Sequence, residues 1–338
     1  MPGTDPLLLD EISLLLVWTA VAIYVLAFIA YAIDLARRSD LAIKAKDEVV
    51  ARELVTAGGG GVIDASPRPA ASGTSSATPR YLWARMGTAL VALGFLFHLA
   101  GDVLRGVAAG RVPWSNMYEF ALTGTLLVVA VYLVVLTRFD LRFLGALITG
   151  LAVVLLGGAT LAFHVEVVPL ADPLKSVWLV IHVFVASLAT ALFALAFGLS
   201  VMQLLQTRRE RKLVLAASSD APAPRRNFLQ TLPNADALES LAYRFAIVGF
   251  IFWTFTLIAG SIWANDAWGR FWGFDTKEVW TFVIWVLYAG YIHARATRGW
   301  RGTRSAWLSI IGFAAVLFNF TIVNVFFKGL HAYSGLTT

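Results

Sequence analysis

The sequence contains no cysteine. That absence excludes disulfides, thiolate metal sites and any thiol redox chemistry carried out by the chain itself. Charge is scarce as well: Asp, Glu, Lys and Arg make up 14% of the 338 residues, against about 25% in a water-soluble domain. A soluble enzyme, a secreted disulfide scaffold and a free nucleic-acid binder are thereby excluded. Hydrophobic residues take the place of charge, at 59% of the chain with a mean hydropathy of +0.73.

The apolar residues gather into eight runs, roughly 11–35, 82–103, 117–137, 143–163, 177–205, 239–263, 278–295 and 305–327. Runs of this length cross a hydrocarbon core about 30 Å thick. None shows the alternating pattern of a barrel strand, so the chain is read as an all-α polytopic membrane protein with about eight transmembrane helices. The first run has no basic stretch before it, no small-residue cleavage site after it, and Arg37-Arg38 at its end. It reads as a retained helix and not as a signal peptide. Three regions follow: a first transmembrane helix at 1–35, a disordered cytoplasmic loop at 36–80, and a seven-helix domain at 81–338 with a second cytoplasmic loop at about 206–238.

Orientation follows from the basic residues. With the N-terminus outside, twenty-one of the 27 Lys and Arg fall in cytoplasmic loops and the helix ends beside them. Only Arg105, Arg111, Lys175, Arg270, Lys277 and Lys328 remain outside. This asymmetry is the positive-inside signal, and it places both termini outside. The net charge of +6 is then a topological device that also meets anionic lipid, and it gives no reason to expect nucleic acid. Gly58-Gly59-Gly60-Gly61, the Pro/Ala/Ser/Thr tract through Pro79, and Asp220-Ala-Pro-Ala-Pro224 cannot bury a core and read as disordered tethers. The four glycines lack the following Lys-Ser/Thr of a phosphate loop.

The external loop between the sixth and seventh spans departs from this bland pattern. From Trp263 to Trp280, eighteen positions hold four tryptophans, two phenylalanines and five charged residues. An interfacial aromatic belt accounts for one or two Trp at a helix end, but not for this density or for the Asp275-x-Lys277-Glu278 that follows. A flat, partly charged ligand stacked on a tryptophan shelf accounts for it better. Of the five histidines, His98, His164, His182 and His331 lie toward the same side, whereas His293 sits near the inner end of the seventh span. A lone intramembrane histidine is commonly an interhelix hydrogen-bonding residue. Four gathered beside a tryptophan shelf point instead to a ligand, and neutral imidazole is a common axial ligand of haem iron. Between Glu278 and His293 there are fifteen helical residues, about 22 Å at 1.5 Å per residue. His293 therefore cannot share an iron with an outer histidine. Read from the residues alone, it is either structural or a second, deeper station.

In these residues the sequence resembles the CcsA/CcsB-type (ResC-like) membrane component of System II cytochrome c biogenesis. The tryptophan-rich "WWD" motif carries the resemblance: Trp268-Gly269-x-x-Trp272-Gly273-Phe274-Asp275-x-Lys277-Glu278-x-Trp280, followed by Trp285 and Tyr291-Ile-His293-x-Arg295. Pro113-Trp-Ser115-Asn116-Met-Tyr118-Glu119, Lys175-Ser176-Val-Trp178-Leu-Val-Ile-His182 and Gly329-Leu-His331-Ala-Tyr333 are similar to three further family segments. The likeness runs from about residue 82 to the end. Lys277-Glu278 separates it from the System I haem-handling families. Phe274 and Thr276 depart from the pattern, standing where Trp and Pro are common. Phe274 keeps an aromatic face and lacks the indole N–H donor.

The resemblance implies a haem-handling subunit of a holocytochrome c synthase. It brings non-covalent haem b to the outer face and presents it to an apocytochrome c, whose two thiols add to the vinyl groups. It implies that Trp268, Trp272 and Asp275 form the haem platform, supported by Trp263 and Phe274, with Lys277, Glu278 and Glu119 among the contacts. His182 and His331 are implied as the outer axial ligands, and His293 as an intramembrane ligand whose counterpart lies on a ResB-like subunit. The bacterial plasma membrane is the expected location, with the plastid thylakoid, which uses such proteins too, as the alternative. His98 and His164 inherit no role, and Glu119 reads equally as a helix cap or as vestibule wall. Two other functions compete. A b-type electron-transfer protein would place histidine pairs on facing helices, and a transporter would show broken helices and an internal repeat, which the sequence lacks.

The topology is directly testable. Reporter fusions or cysteine labelling at residues 70 and 220 should both read cytoplasmic, and an external reading at either position would reject the charge-based orientation.

Overall fold

The computed structural model describes residues 5–57, 81–170, 172–218, 227–297, 300–327 and 329–331. Among these there is no β-strand, and the chain is a bundle of helices: α1 (Pro6–Ala57), α2 (Leu82–Ala109), α3 (Met117–Leu136), α4 (Gly145–Ala152), α5 (Gly158–Phe163), α6 (Val177–Ala217), α7 (Ala235–Trp268), α8 (Thr276–Ala296), α9 (Thr303–Phe320) and α10 (Ile322–Phe326). A π-turn at Val153–Gly157 joins α4 to α5, so that the two form one membrane-length rod. Among the described residues, seven segments are long and apolar enough to cross a membrane. α8, at 21 residues, adds an eighth rod, which carries Lys277, Glu278, His293 and Arg295.

Several of the longer helices begin where the sequence offers a side chain for the orphan amides of a first turn. Asn116 Oδ1 accepts the Glu119 amide at 2.9 Å, Ser176 Oγ the Trp178 amide at 3.2 Å, and Asn234 Oδ1 the Ala237 amide at 2.9 Å. Asp275 and Glu278 form a reciprocal capping box at the start of α8. α2 and α7 end on Gly110 and Gly269, whose φ angles of 63° and 68° close the helices in the left-handed conformation.

Two expected boundaries are corrected. The loop expected at 36–80 is helical through Ala57, and the one at 206–238 is helical to Ala217, with α7 starting at Ala235. The apolar pattern stops where the membrane stops, but Arg, Lys, Glu, Leu and Ala all propagate a helix into water. The glycine run, the Pro-rich tract and the Asp220–Pro224 segment lie outside the described residues.

Close packing comes from small residues. Gly87, Gly94 and Gly101 recur at seven-residue spacing on α2, and a Cβ at each would stand 3.0, 2.7 and 2.9 Å from Tyr31, Tyr24 and Val17 of α1. That spacing keeps one glycine stripe against α1 along the whole contact. At the end of the bundle that carries the Trp-rich loop, α1, α2 and α3 are joined by ions. Arg105 is fully buried and pairs with Asp10 at 2.6 Å and Glu119 at 3.1 Å, while donating to the Val165 carbonyl at 2.9 Å. Arg111 pairs with the second Glu119 oxygen at 2.7 Å. At the opposite end Arg295 of α8 meets Glu239 of α7 at 2.6 Å, and Glu239 accepts the Gly302 amide before α9 at 2.9 Å.

Removing one member of a buried ion cluster leaves its partners uncompensated, at a cost of about 3–5 kcal/mol. Arg105→Gln should therefore lower the unfolding midpoint of the detergent-solubilised protein far more than Arg142→Gln, whose pair with Asp140 is exposed. Equal shifts would show that the cluster does not hold the three helices together.

Candidate functional site

His182 sits in the second turn of α6 and turns its ring against α7. Its Nδ1 lies 2.9 Å from the Thr256 carbonyl oxygen. A carbonyl only accepts, so Nδ1 carries the proton and Nε2 keeps the free lone pair. Gly260 makes this approach possible, because a Cβ there would lie 2.6 Å from His182 Cε1 and 2.8 Å from Nδ1.

His331 reaches the same place by another route. α9 gives way to α10 at Thr321, α10 ends at Phe326, and the chain then turns back over the start of α8. There His331 Nδ1 donates to Asp275 Oδ2 at 2.6 Å. This hydrogen bond is the main influence holding the Asp275 carboxyl below its usual range, with the Thr276 and Leu330 amides adding to it against partial burial. As with His182, Nδ1 is engaged and Nε2 is left over.

Trp263, buried near the end of α7, joins the two imidazoles. Its ring stacks on His182 with centroids 5.9 Å apart and meets His331 edge-on at 5.3 Å. Trp268 closes the group, 4.9 Å from both Trp263 and His331. A largely apolar cavity opens beside them between α3, α6, α7, α8 and α9, with His182, His331, Lys277, Trp253, Trp263 and Asn324 in its wall. A smaller cleft shares His182, His331 and Lys277 and continues toward Phe271, Trp272 and Glu278. The two imidazoles and the lysine thus stand in the partition between two spaces.

Lys277 Nζ donates to the Asn319 carbonyl at 3.0 Å and to Asn324 Oδ1 at 2.7 Å. The first contact places an ammonium at the C-terminal end of α9, where the helix dipole favours a cation. Among the described residues no carboxylate forms an ion pair with it. It is an amine at the cavity wall held by neutral partners.

The remaining residues implied by the resemblance divide. Glu278 Oε2 accepts the Gly273 and Asp275 amides at 2.8 and 3.1 Å, so it folds the Trp-rich loop while its side chain borders the smaller cleft. Trp272 is 37% exposed at the mouth of that cleft. Phe274 is 80% exposed with a φ of 57°, held at the loop tip and outside both spaces. Asp275 faces His331 and is not part of a flat platform. Glu119 is fully buried in the ion cluster and accepts the Ser115 amide at 2.7 Å. Its bond to Ser115 lies just ahead of α3, whose N-cap is Asn116, and the cavity wall on α3 is formed by Phe120, Gly124 and Thr125 further along.

His293 lies on the opposite flank of α8. Val279, Phe282, Val286, Gly290 and His293 form one exposed stripe at helical spacing, away from the cavity. His98 is buried between α1 and α3, with Nε2 2.9 Å from the Leu122 carbonyl and Nδ1 3.3 Å from the Tyr24 hydroxyl. It is an interhelix hydrogen-bonding residue. His164 faces Tyr118 and stands 4.0 Å from Asp10, and its partial burial holds it below the usual histidine range. Sequence reasoning missed the Thr256 carbonyl, which no side-chain pattern announces. It also missed Gly260, whose signal is a glycine inside a helical apolar run.

Residues 114–331 match the family described as "Cytochrome C assembly protein". Among curated proteins the chain is similar to the "Cytochrome c biogenesis protein CcsA" of Trieres chinensis, 33% identical over 270 residues and covering 74% of this chain and 86% of that one. It is equally similar to the protein of that name from Synechococcus elongatus, 33% identical over 282 residues, 73% and 87% of the two chains. Among solved structures, "Cytochrome c Heme Lyase CcmF" superposes with a TM-score of 0.59 at 16% identity. That match covers 95% of this chain and 47% of the longer one, and it shows a shared fold.

The glycine under His182 gives a prediction with a built-in control. Gly290→Ala, where nothing lies within 4 Å of the new Cβ, should stabilise α8 by up to about 1 kcal/mol through helix propensity. Gly260→Ala should instead destabilise by about 1–3 kcal/mol, because it overpacks His182. Unfolding midpoints in detergent should move in opposite directions; a stabilising Gly260→Ala would refute the close contact.

Proposed function

Because the chain belongs to the cytochrome c assembly protein family and serves cytochrome c maturation, we propose that it carries haem b at its Trp-rich end and presents it to apocytochrome c for thioether attachment. One observation supports this reading most: two imidazoles from distant parts of the chain, each with Nδ1 engaged, share one tryptophan and one apolar cavity. Among the described residues no three His, Asp or Glu side chains cluster as a bare metal site. Two imidazoles suffice when the metal arrives with its remaining ligands, as iron does in a porphyrin.

The residues divide the work. His182 and His331 are the axial ligands, each oriented by its Nδ1 hydrogen bond. Trp263 and Trp268 back both rings, and Trp272 stands at the mouth of the smaller cleft. Lys277 offers its ammonium to a haem carboxylate without first breaking an ion pair. Haem supplies the vinyl groups, and each thiol of the apocytochrome adds S–H across one C=C bond. An electron-transfer protein would bury both ligands on facing helices. His331 stands instead on a short tail beyond α10, in keeping with a site from which the cargo leaves.

His293 serves a second, deeper station. Its outward stripe on α8 is where a ResB-like subunit supplies the facing ligand. We place the complex in the bacterial plasma membrane with both termini and the Trp-rich loop outside.

The test is spectroscopic. Protein purified with haem should show a six-coordinate, bis-histidine spectrum. His182→Gly and His331→Gly should each lose it and regain it on addition of imidazole, whereas His98→Gly and His164→Gly should leave it unchanged. Native spectra in both of the first two variants, without added imidazole, would overturn the ligand assignment.

A further inference from the structure

The carboxylate of Asp275 gathers donors from two elements. His331 Nδ1 reaches it at 2.6 Å, and the amides of Leu330 and Thr276 bond to it as well. His331 and Leu330 belong to the tail beyond α10, and Thr276, with the Glu278 amide of the capping box, belongs to the first turn of α8. The tail can come so close only because residue 329 is glycine, since a Cβ there would run into Asp275 Oδ1. Asp275 itself is fixed by the capping box, its own amide donating to Glu278 Oε2 at 3.1 Å. A rigid carboxylate at a helix start thus holds a histidine that no helix carries.

We propose that Asp275 is a positioning residue that latches the tail onto α8, fixes the proton of His331 on Nδ1, and thereby presents Nε2 at the cavity. This rests on the reading of His331 as an axial ligand. It replaces the expectation that Asp275 belongs to a stacking platform. His182 has no equivalent device, because its Nδ1 partner is a backbone carbonyl in the middle of α7. The two ligands are therefore unequal. His182 is built into the helix pair. His331 is held by one side chain and is the ligand that can be exchanged when the apocytochrome's own histidine arrives.

The physical consequence is specific. A carboxylate partner raises the basicity of a ligating imidazole, and loss of such a partner lowers metal affinity by roughly 10–100-fold. A helix cap makes a different demand, since Asp, Asn and Ser serve about equally well at that position. The two roles separate by substitution. Asp275→Asn keeps the cap and offers a neutral acceptor to His331, whereas Asp275→Ser keeps the cap but is too short to reach the ring.

The experiment uses the full chain in detergent, with and without haem. In the haem-bound protein Asp275→Ser should weaken haem binding roughly 10–100-fold and raise the midpoint potential. Added imidazole should restore the six-coordinate spectrum as it does for His331→Gly, and the double variant should be no worse than His331→Gly alone. Asp275→Asn should fall between wild type and Asp275→Ser. In the haem-free protein Asp275→Ser should speed hydrogen exchange at the Leu330 amide while the unfolding midpoint stays near that of wild type. If Asp275→Ser keeps both wild-type haem affinity and wild-type Leu330 protection, the latch is overturned. If the Leu330 amide is released while haem affinity, potential and spectrum stay native, Asp275 is a structural clasp only and the positioning role is overturned. A native spectrum in His331→Gly would instead remove the ligand reading itself, a result distinguishable because the haem-free exchange measurement does not depend on iron.

Discussion

A polar group inside an apolar medium must find its partner within the protein, and the position of every chemically active residue in this bundle follows from that constraint. His182 satisfies its N–H on a carbonyl of the neighbouring helix, His331 on a carboxylate, and Lys277 on a carbonyl and a side-chain amide. Each bond uses one face of its residue and leaves the other toward the cavity. Satisfaction and presentation are achieved by the same contacts.

Much of this was legible in the sequence. Twenty-residue apolar runs can hardly be anything but membrane helices, and the tryptophan density between residues 263 and 280, more than a belt needs, singles out the loop that borders the two cavities. The capping side chains Asn116, Ser176 and Asp275 announce their helices in the letters themselves. Helix ends in the two long segments between spans were less legible, because hydrophobicity reports the end of the apolar run and the helix continues past it to Ala57 and Ala217. The role of Asp275 was also hidden. Its partner is fifty-six residues away on a tail, and long-range pairing of that kind leaves no local pattern.

Glycine performs three distinct tasks in the fold. On α2 it lets two helices touch along a stripe with seven-residue spacing, at Gly260 it lets a ring approach a helix, and at Gly329 it lets a tail pass over a carboxylate. None of these positions needs an unusual backbone angle. They need the absence of a β-carbon, and the sequence marks them only as glycines in otherwise apolar surroundings. Gly110 and Gly269 are different, being chosen for their positive φ at helix ends.

The ion cluster of Arg105 bears on how the protein is made. α2 cannot rest in a bilayer by itself, because an arginine near its end has no partner on its own helix, and an unpaired arginine is unfavourable there. The two carboxylates that neutralise it come from the helix before and the helix after, Asp10 and Glu119. Insertion of the first helix therefore supplies a waiting counter-ion, and the third helix completes a neutral set of two cations and two anions once Arg111 has joined. The first three spans thus carry one electrically closed set of charges, and it includes neither histidine of the cavity.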